Sequence, residues 1–325
     1  MNGRAFKLGT FAKPDGKPFA AIVLDDTAID LAQAHEAYRA GGRPTLSSTS
    51  SIRDLLDDWE RNFATLQEIV AFLDKAGSKP GSVSVTGLTP RPPVGRPGKM
   101  FYAAQNFQEH VDEMIRAGMS PATGPKFTGE KSTTRPYLFL KAPSCLAGAH
   151  DDIAVPSDVK KVDWEAEIAC VIAKRGKRIK GERALDHVAG WMTTNDVSAR
   201  DLQIRTDRPG LRSDWLNGKS HDKFAPMGPF LVPKAFVPDH MNLFIRLTLN
   251  GAVKQNGNTS QFIFTPEEQI EYASNILSVE TGDIFVCGTC GGVGQGTHTF
   301  INVGDVMETE VEGLGKMTNK FVAEA

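Results

Sequence analysis

Along the first quarter of the chain the apolar positions change from a strand-like to a helical period. Phe6-Lys7-Leu8-Gly9-Thr10-Phe11 alternates, Phe19–Leu24 is a second apolar run, and Pro14-Asp15-Gly16-Lys17 lies between them. Two β-rich runs around a Pro/Gly turn predict a hairpin. After a polar Ser/Thr stretch at 45–51, Ile52, Leu55, Leu56, Trp59, Phe63, Leu66, Ile69, Val70 and Leu73 recur at helical spacing. They predict one helix, with Ser51 and Asp54 resembling a capping box at its start and Gly77 ending it.

The segment Thr89–Gly98 is dense in proline and glycine and reads as a linker. It divides the chain into a small N-terminal domain, residues 1–95, and a larger one, residues 96–325. Beyond it come short strands and Gly/Pro turns, with helical stretches at 106–117 and 266–276. The fold class expected is α+β, predominantly β, with a small N-terminal α/β domain. Ser120–Pro136 has no periodicity and reads as a mobile surface loop, of a length that is usually functional or disordered.

Bulk properties narrow the function. The 325 residues carry a formal net charge of −2, which gives no electrostatic reason to expect nucleic acid or an anionic membrane. Apolar runs such as Phe19–Leu24 are too short to span a bilayer. No signal or transit peptide is visible, and four cysteines in so long a chain do not make a disulfide framework. A cytoplasmic location is the expectation.

The chemistry concentrates in carboxylates. Glu165 and Glu167 lie two apart in Val-Asp-Trp-Glu-Ala-Glu-Ile-Ala-Cys-Val-Ile, which reads as a strand, so they share a face. If that face is buried, the pair needs a cation or protons. Asp196, in Asn-Asp-Val-Ser-Ala-Arg-Asp, is a plausible third ligand. An oxygen-only set suits a hard divalent cation rather than zinc or copper. A solvated strand edge with salt-bridged acids would give the same spacing.

Other groups could work with such a site. His110 and Glu113 are three apart, so a helix would put them on one face, where a carboxylate raises the basicity of an imidazole. An ordinary surface contact has the same spacing. Lys219, a turn lysine in Gly-Lys-Ser, could sit in solvent or stabilise a developing enolate. Cys287-Gly288-Thr289-Cys290 lacks the second cysteine pair of a zinc ribbon, and the glycines after it favour a tight turn. There the Thr289 hydroxyl and backbone N–H groups could hold a carboxylate.

Taken in order, Asn106–Met114, Pro136–Ser144, Val162–Ile172, Asn195–Gln203, Gly218–Pro229, Gly288–Gly294 and Gly304–Gly315 resemble the fumarylacetoacetate hydrolase family over about residues 98–325. The most specific part is Asn-Asp-Val-Ser-Ala-Arg-Asp-Leu-Gln after Glu-x-Glu. The resemblance implies a mixed β-roll catalytic domain and a homodimer. It implies Mg²⁺ or Mn²⁺ on Glu165, Glu167 and Asp196, and His110 with Glu113 as a base dyad. Arg200, Gln203 and Lys219 match positions that face substrate or support the site, and Thr289 matches one near the substrate carboxylate.

That resemblance leads to a small 2-oxo acid as substrate and to a first expectation of function. The enzyme would hydrolyse a C–C bond of a 1,3-diketo acid such as an acylpyruvate, through an enolate leaving group. The alternative is an isomerase, decarboxylase or dehydratase of a 2-oxo or 2-hydroxydienoic acid at the same metal site. If the substrate carries a second carboxylate, Lys126, Lys131 and Arg135 are candidate partners for it.

Overall fold

A computed structural model describes residues 3–40, 42–118, 130–208, 210–211 and 213–324. Lys126 and most of the predicted loop therefore lie outside the described residues.

The hairpin forms as predicted. Lys7–Ala12 pairs antiparallel with Pro18–Leu24, Leu8 opposite Ile22, and Thr27–Asp30 adds a third strand. Helices Leu31–Arg39 and Trp59–Ala76 pack on this sheet through Leu31, Leu66, Ile69 and Leu73. Gly77 closes the second helix at φ 62°, a left-handed conformation that glycine adopts at no steric cost.

The single helix expected from residue 52 is broken. Ile52–Leu55 is followed by a 3₁₀ turn at Leu56–Asp58 before Trp59–Ala76 begins. Asn62 explains the break: its Nδ2 donates to the Leu55 carbonyl at 2.8 Å and its Oδ1 accepts from Ser47 N–H at 2.9 Å. A buried side chain thus satisfies a backbone carbonyl at the interruption. Ser51 caps the first piece by accepting from Asp54 N–H.

Leu8 pairs with Leu231, which joins the N-terminal strands to the long central sheet. From there the order is Ala225–Pro233, Val188–Asn195, Ala166–Ile172, Ile284–Val286, Met100–Ala103 and Leu138–Lys141. Ile284–Val286 and Met100–Ala103 run parallel and the other neighbours along this order antiparallel, so the sheet is mixed. A five-stranded sheet, Phe244–Leu249 and Val306–Val311 at its centre, covers one face. The fold is α+β and predominantly β, as expected, and its sheets do not close into a barrel.

Ala166–Ile172 is buried on both faces. Ile168, Cys170 and Ile172 pack with Ile245, Leu247 and Met307 of the five-stranded sheet. Ala169 and Val171 pack with Met100, Tyr102 and Met192 on the other side. Glu165 and Glu167 share the parity of this second set, so the sheet itself carries both acids into the interior. No helix among the described residues is long and apolar enough to cross a membrane.

Candidate active site

Two neighbouring strands build the carboxylate cluster. Ala166 lies opposite Asn195 and Glu167 opposite Thr194, and the Asp196 N–H donates to the Glu165 carbonyl at 2.9 Å. Asp196, one residue past its strand, therefore sits beside Glu165, one residue before its own. The three carboxylates are buried and their ligand atoms lie within 4.8 Å of one another. The solvated-edge alternative is thereby removed.

Buried bases surround these acids. Lys219 Nζ donates to Glu165 Oε2 at 2.7 Å and to Asp196 Oδ2 at 2.6 Å. Lys141 Nζ donates to Asp196 Oδ1 at 2.8 Å and to the carbonyls of Phe224 and Val197. Arg200 donates to Asp163 at 2.7 Å through Nε and to Glu165 through its second arm. Glu167 accepts from the Gly288 N–H. Burial alone would raise the Glu165 carboxyl, but Lys219, Arg200 and His110 overcome it and hold it below the usual range. Burial pushes Glu167 far up, and the charges of Asp196 and Glu165 add to the push. Burial pulls Lys219 down, yet Asp196 and Glu165 leave it raised overall.

This donor set fits a divalent cation. Glu165, Glu167, Asp196 and Asp163 face Lys141, Lys219 and Arg200, which leaves one negative charge unbalanced when all are ionised. Glu167, where that charge falls, has one backbone donor and no direct basic partner among the described residues. Buried carboxylates in that state are compensated by a hard cation or a proton.

His110 and Glu113 are also brought together. Gln108–Arg116 is a helix, and His110 Nδ1 lies 3.4 Å from Glu113 Oε2. The Gly292 N–H donates to both Glu113 oxygens, at 3.1 and 3.2 Å. Gly292 has φ +97°, and a Cβ there would collide with the Lys254 carbonyl oxygen, so this close approach requires glycine. Asp163 anchors the same turn, accepting from Gly294 and Gln295 N–H.

A cavity of about 480 Å³ opens over these groups. His110, Glu165, Arg200, Gln203, Lys219 and Thr289 line it, while Glu113, Glu167 and Asp196 lie behind. Phe139, Trp215, Phe264 and Met114 form an apolar wall. The Thr289 hydroxyl donates to the Ala166 carbonyl and accepts from Gln255, so its proton is committed and the backbone N–H remains the candidate anion donor. Cys287 and Cys290 are both buried, and burial raises both thiols, that of Cys290 to about 12.

Sequence reasoning missed the roles of Lys141, Asp163 and Gln255. Lys141 carried a readable signal: it shares the strand face of Phe139 in Leu138–Lys141, which puts a lysine on an inward face.

The sequence profile described as Fumarylacetoacetate (FAA) hydrolase C-terminal matches residues 99–322. The chain belongs to the fumarylacetoacetate hydrolase family. It is 38% identical over 232 residues to "Oxaloacetate tautomerase fahd2, mitochondrial" of Xenopus laevis, covering 71% of this chain and 67% of that one. It is 39% identical over 232 residues to "Oxaloacetate tautomerase FAHD2A, mitochondrial" of Homo sapiens, covering 71% and 68%. Among solved structures, a 5-carboxymethyl-2-hydroxymuconate delta-isomerase from Mycobacterium smegmatis superposes with TM-score 0.67 at 25% identity, over 98% of this chain and 99% of that one. The fumarylacetoacetate hydrolase of Exiguobacterium antarcticum, at TM-score 0.74 and 24% identity, over 98% and 100%, shares the fold.

Proposed function

We propose that the protein is a divalent-metal-dependent isomerase that interconverts the keto and enol forms of a 2-oxo acid. The observation that carries this reading is that His110 and Lys219, a base and a cation, line one cavity over the carboxylate cluster. Relatives named as tautomerases, at 38–39% identity, favour proton transfer over the hydrolysis first expected.

Glu165, Glu167 and Asp196 would hold the cation. Bound there, Mg²⁺ or Mn²⁺ supplies Lewis-acid polarisation of a 2-oxo carboxylate. His110, oriented by its contact with Glu113, takes the proton from C3, and the electron pair moves into the C2–oxygen unit. Lys219, held charged by its two carboxylates, donates a hydrogen bond to the developing enolate oxygen. The proton held by His110 then goes to that oxygen and completes the enol, so the exchange needs no net proton from solvent. Gln203 and the Thr289 backbone orient the acid. Arg200 keeps Glu165 ionised.

C–C hydrolysis is the second reading, because the same dyad could activate water. The test is C3 proton–deuterium exchange on 2-oxo acids with Mg²⁺, run beside pyruvate release from an acylpyruvate. Pyruvate release without C3 exchange would overturn the tautomerase reading.

The active form is taken to be a homodimer, for which exposed Leu211 and Leu216 offer apolar surface. A solution mass near 35.3 kDa would remove that part. Four free buried thiols fit a reducing compartment, cytosol or mitochondrial matrix alike.

A further inference from the structure

The basic side chains that line the cavity are not equivalent. His110 is tied to Glu113, Arg200 to Asp163 and Glu165, and Lys219 to Glu165 and Asp196. Arg135 lines the same cavity and has no acidic partner among the described residues. Of the other two bases considered for a second carboxylate, Lys131 is paired with Glu268 and Lys126 lies outside the described residues.

Position adds to the contrast. Arg135 lies six residues before Lys141, in the segment that leads into the edge strand Leu138–Lys141. Lys141 reaches into the carboxylate cluster. An extended chain rises about 3.3–3.6 Å per residue, so the backbones of Arg135 and Lys141 stand up to about 20 Å apart. Gln203 lines the same cavity, and its buried amide oxygen accepts no hydrogen bond from the described residues. Gln203 itself is 8% exposed. A guanidinium without an acidic partner among the described residues, in the wall of a cavity that opens over the carboxylate cluster, is suited to a second carboxylate of a substrate bound there, which it meets bidentately.

We infer that Arg135 is a specificity-determining residue, selecting 2-oxo acids whose distal end is also a carboxylate over monoacids of equal length. The inference rests on the reading of the site as one for 2-oxo acids. The Arg135 guanidinium engages the distal carboxylate and takes no part in proton transfer.

Binding tests it independently of turnover. Quenching of tryptophan fluorescence, with Trp215 in the cavity wall, is measured in Mg²⁺ for oxaloacetate, 2-oxoglutarate and 2-oxoadipate. The controls are 2-oxobutyrate, 2-oxopentanoate and 2-oxohexanoate. The wild type is expected to bind at least one diacid about tenfold or more tighter than its matched monoacid. Arg135→Gln, at an exposed position, should abolish that preference and leave monoacid affinity unchanged, and Arg135→Lys should restore part of it. Equal affinities in the wild type, or a preference that survives in Arg135→Gln, overturn the inference. A binding preference without C3 exchange on any acid would instead remove the tautomerase reading and leave Arg135 in its role.

Discussion

Lys141 Nζ donates to Asp196 Oδ1 at 2.8 Å with both side chains withdrawn from solvent. Burial pulls this ammonium down, Lys219 nearby does the same, and Asp196 works against both. The pair fixes one carboxylate of the cluster from below while Lys219 holds its other oxygen. Removing one partner of a buried ion pair costs about 3–5 kcal/mol, because the other charge is left uncompensated. Lys141→Met should lose stability of that order in urea unfolding. A loss below about 1 kcal/mol would mean that Asp196 does not depend on Lys141.

Cation binding should be visible as stability. A ligand at a hundredfold its dissociation constant stabilises by about 2.7 kcal/mol. Mn²⁺ should therefore raise the wild-type urea midpoint, and EDTA should reverse it. Glu167→Gln should show no Mn²⁺ effect while remaining folded. Equal stabilisation of wild type and variant would place the cation elsewhere.

The dyad should be separable from the cation site. His110→Gln is expected to slow C3 exchange by about 10²–10⁴-fold, the usual worth of a positioned base. Its Mn²⁺-induced stabilisation should persist, since His110 is not among the ligand candidates. Exchange at the wild-type rate in this variant would rule His110 out as the base.

Gly292 links backbone geometry to that base. Its N–H holds both Glu113 oxygens, and its φ of +97° excludes a side chain. Strained backbone of this kind costs about 1–3 kcal/mol, before any clash is counted. Gly292→Ala should lower both the denaturation midpoint and the C3 exchange rate, through a displaced Glu113. An unchanged exchange rate would show that Glu113 does not need this donor.

The cysteines should be inert. Cys145, Cys170, Cys287 and Cys290 are buried and unpaired, and burial lifts the Cys290 thiol to about 12. At pH 8 almost none of that thiol is ionised, and the thiolate is the reactive form. Iodoacetamide should label none of the four in the folded protein and all of them in guanidinium. Rapid labelling of Cys287 or Cys290 when folded would show that burial does not protect these thiols.

Much of the site was legible because its signals are local. Glu165 and Glu167 are two apart on one strand, and His110 and Glu113 three apart on one helix. Each spacing predicts a shared face, and each pair is brought together. Asp196 and Lys219 became readable through ordered motifs, since no local period ties residues on different elements. Lys141 escaped because its partner lies 55 positions away and a lysine ending an apolar strand resembles a solvated strand end. The break at Leu56–Asp58 escaped for a related reason. The apolar spacing runs through it unchanged, and the cause is the Asn62 side chain turned inward to Leu55 and Ser47.

The pairing of Leu8 with Leu231 has a consequence for biosynthesis. The hairpin Lys7–Ala12 with Pro18–Leu24 is made first, and Thr89–Arg91 later covers part of its open edge at Thr10–Ala12. The position beside Leu8 stays open until Ala225–Pro233 leaves the ribosome. At about 5–20 residues per second, that delay is roughly 10–45 s. During it the nascent chain presents an unpaired strand edge, the kind of surface that associates with other chains. The edge position at Leu8 is therefore covered only when Ala225–Pro233, the neighbour of the strand leading to Asp196, takes its place.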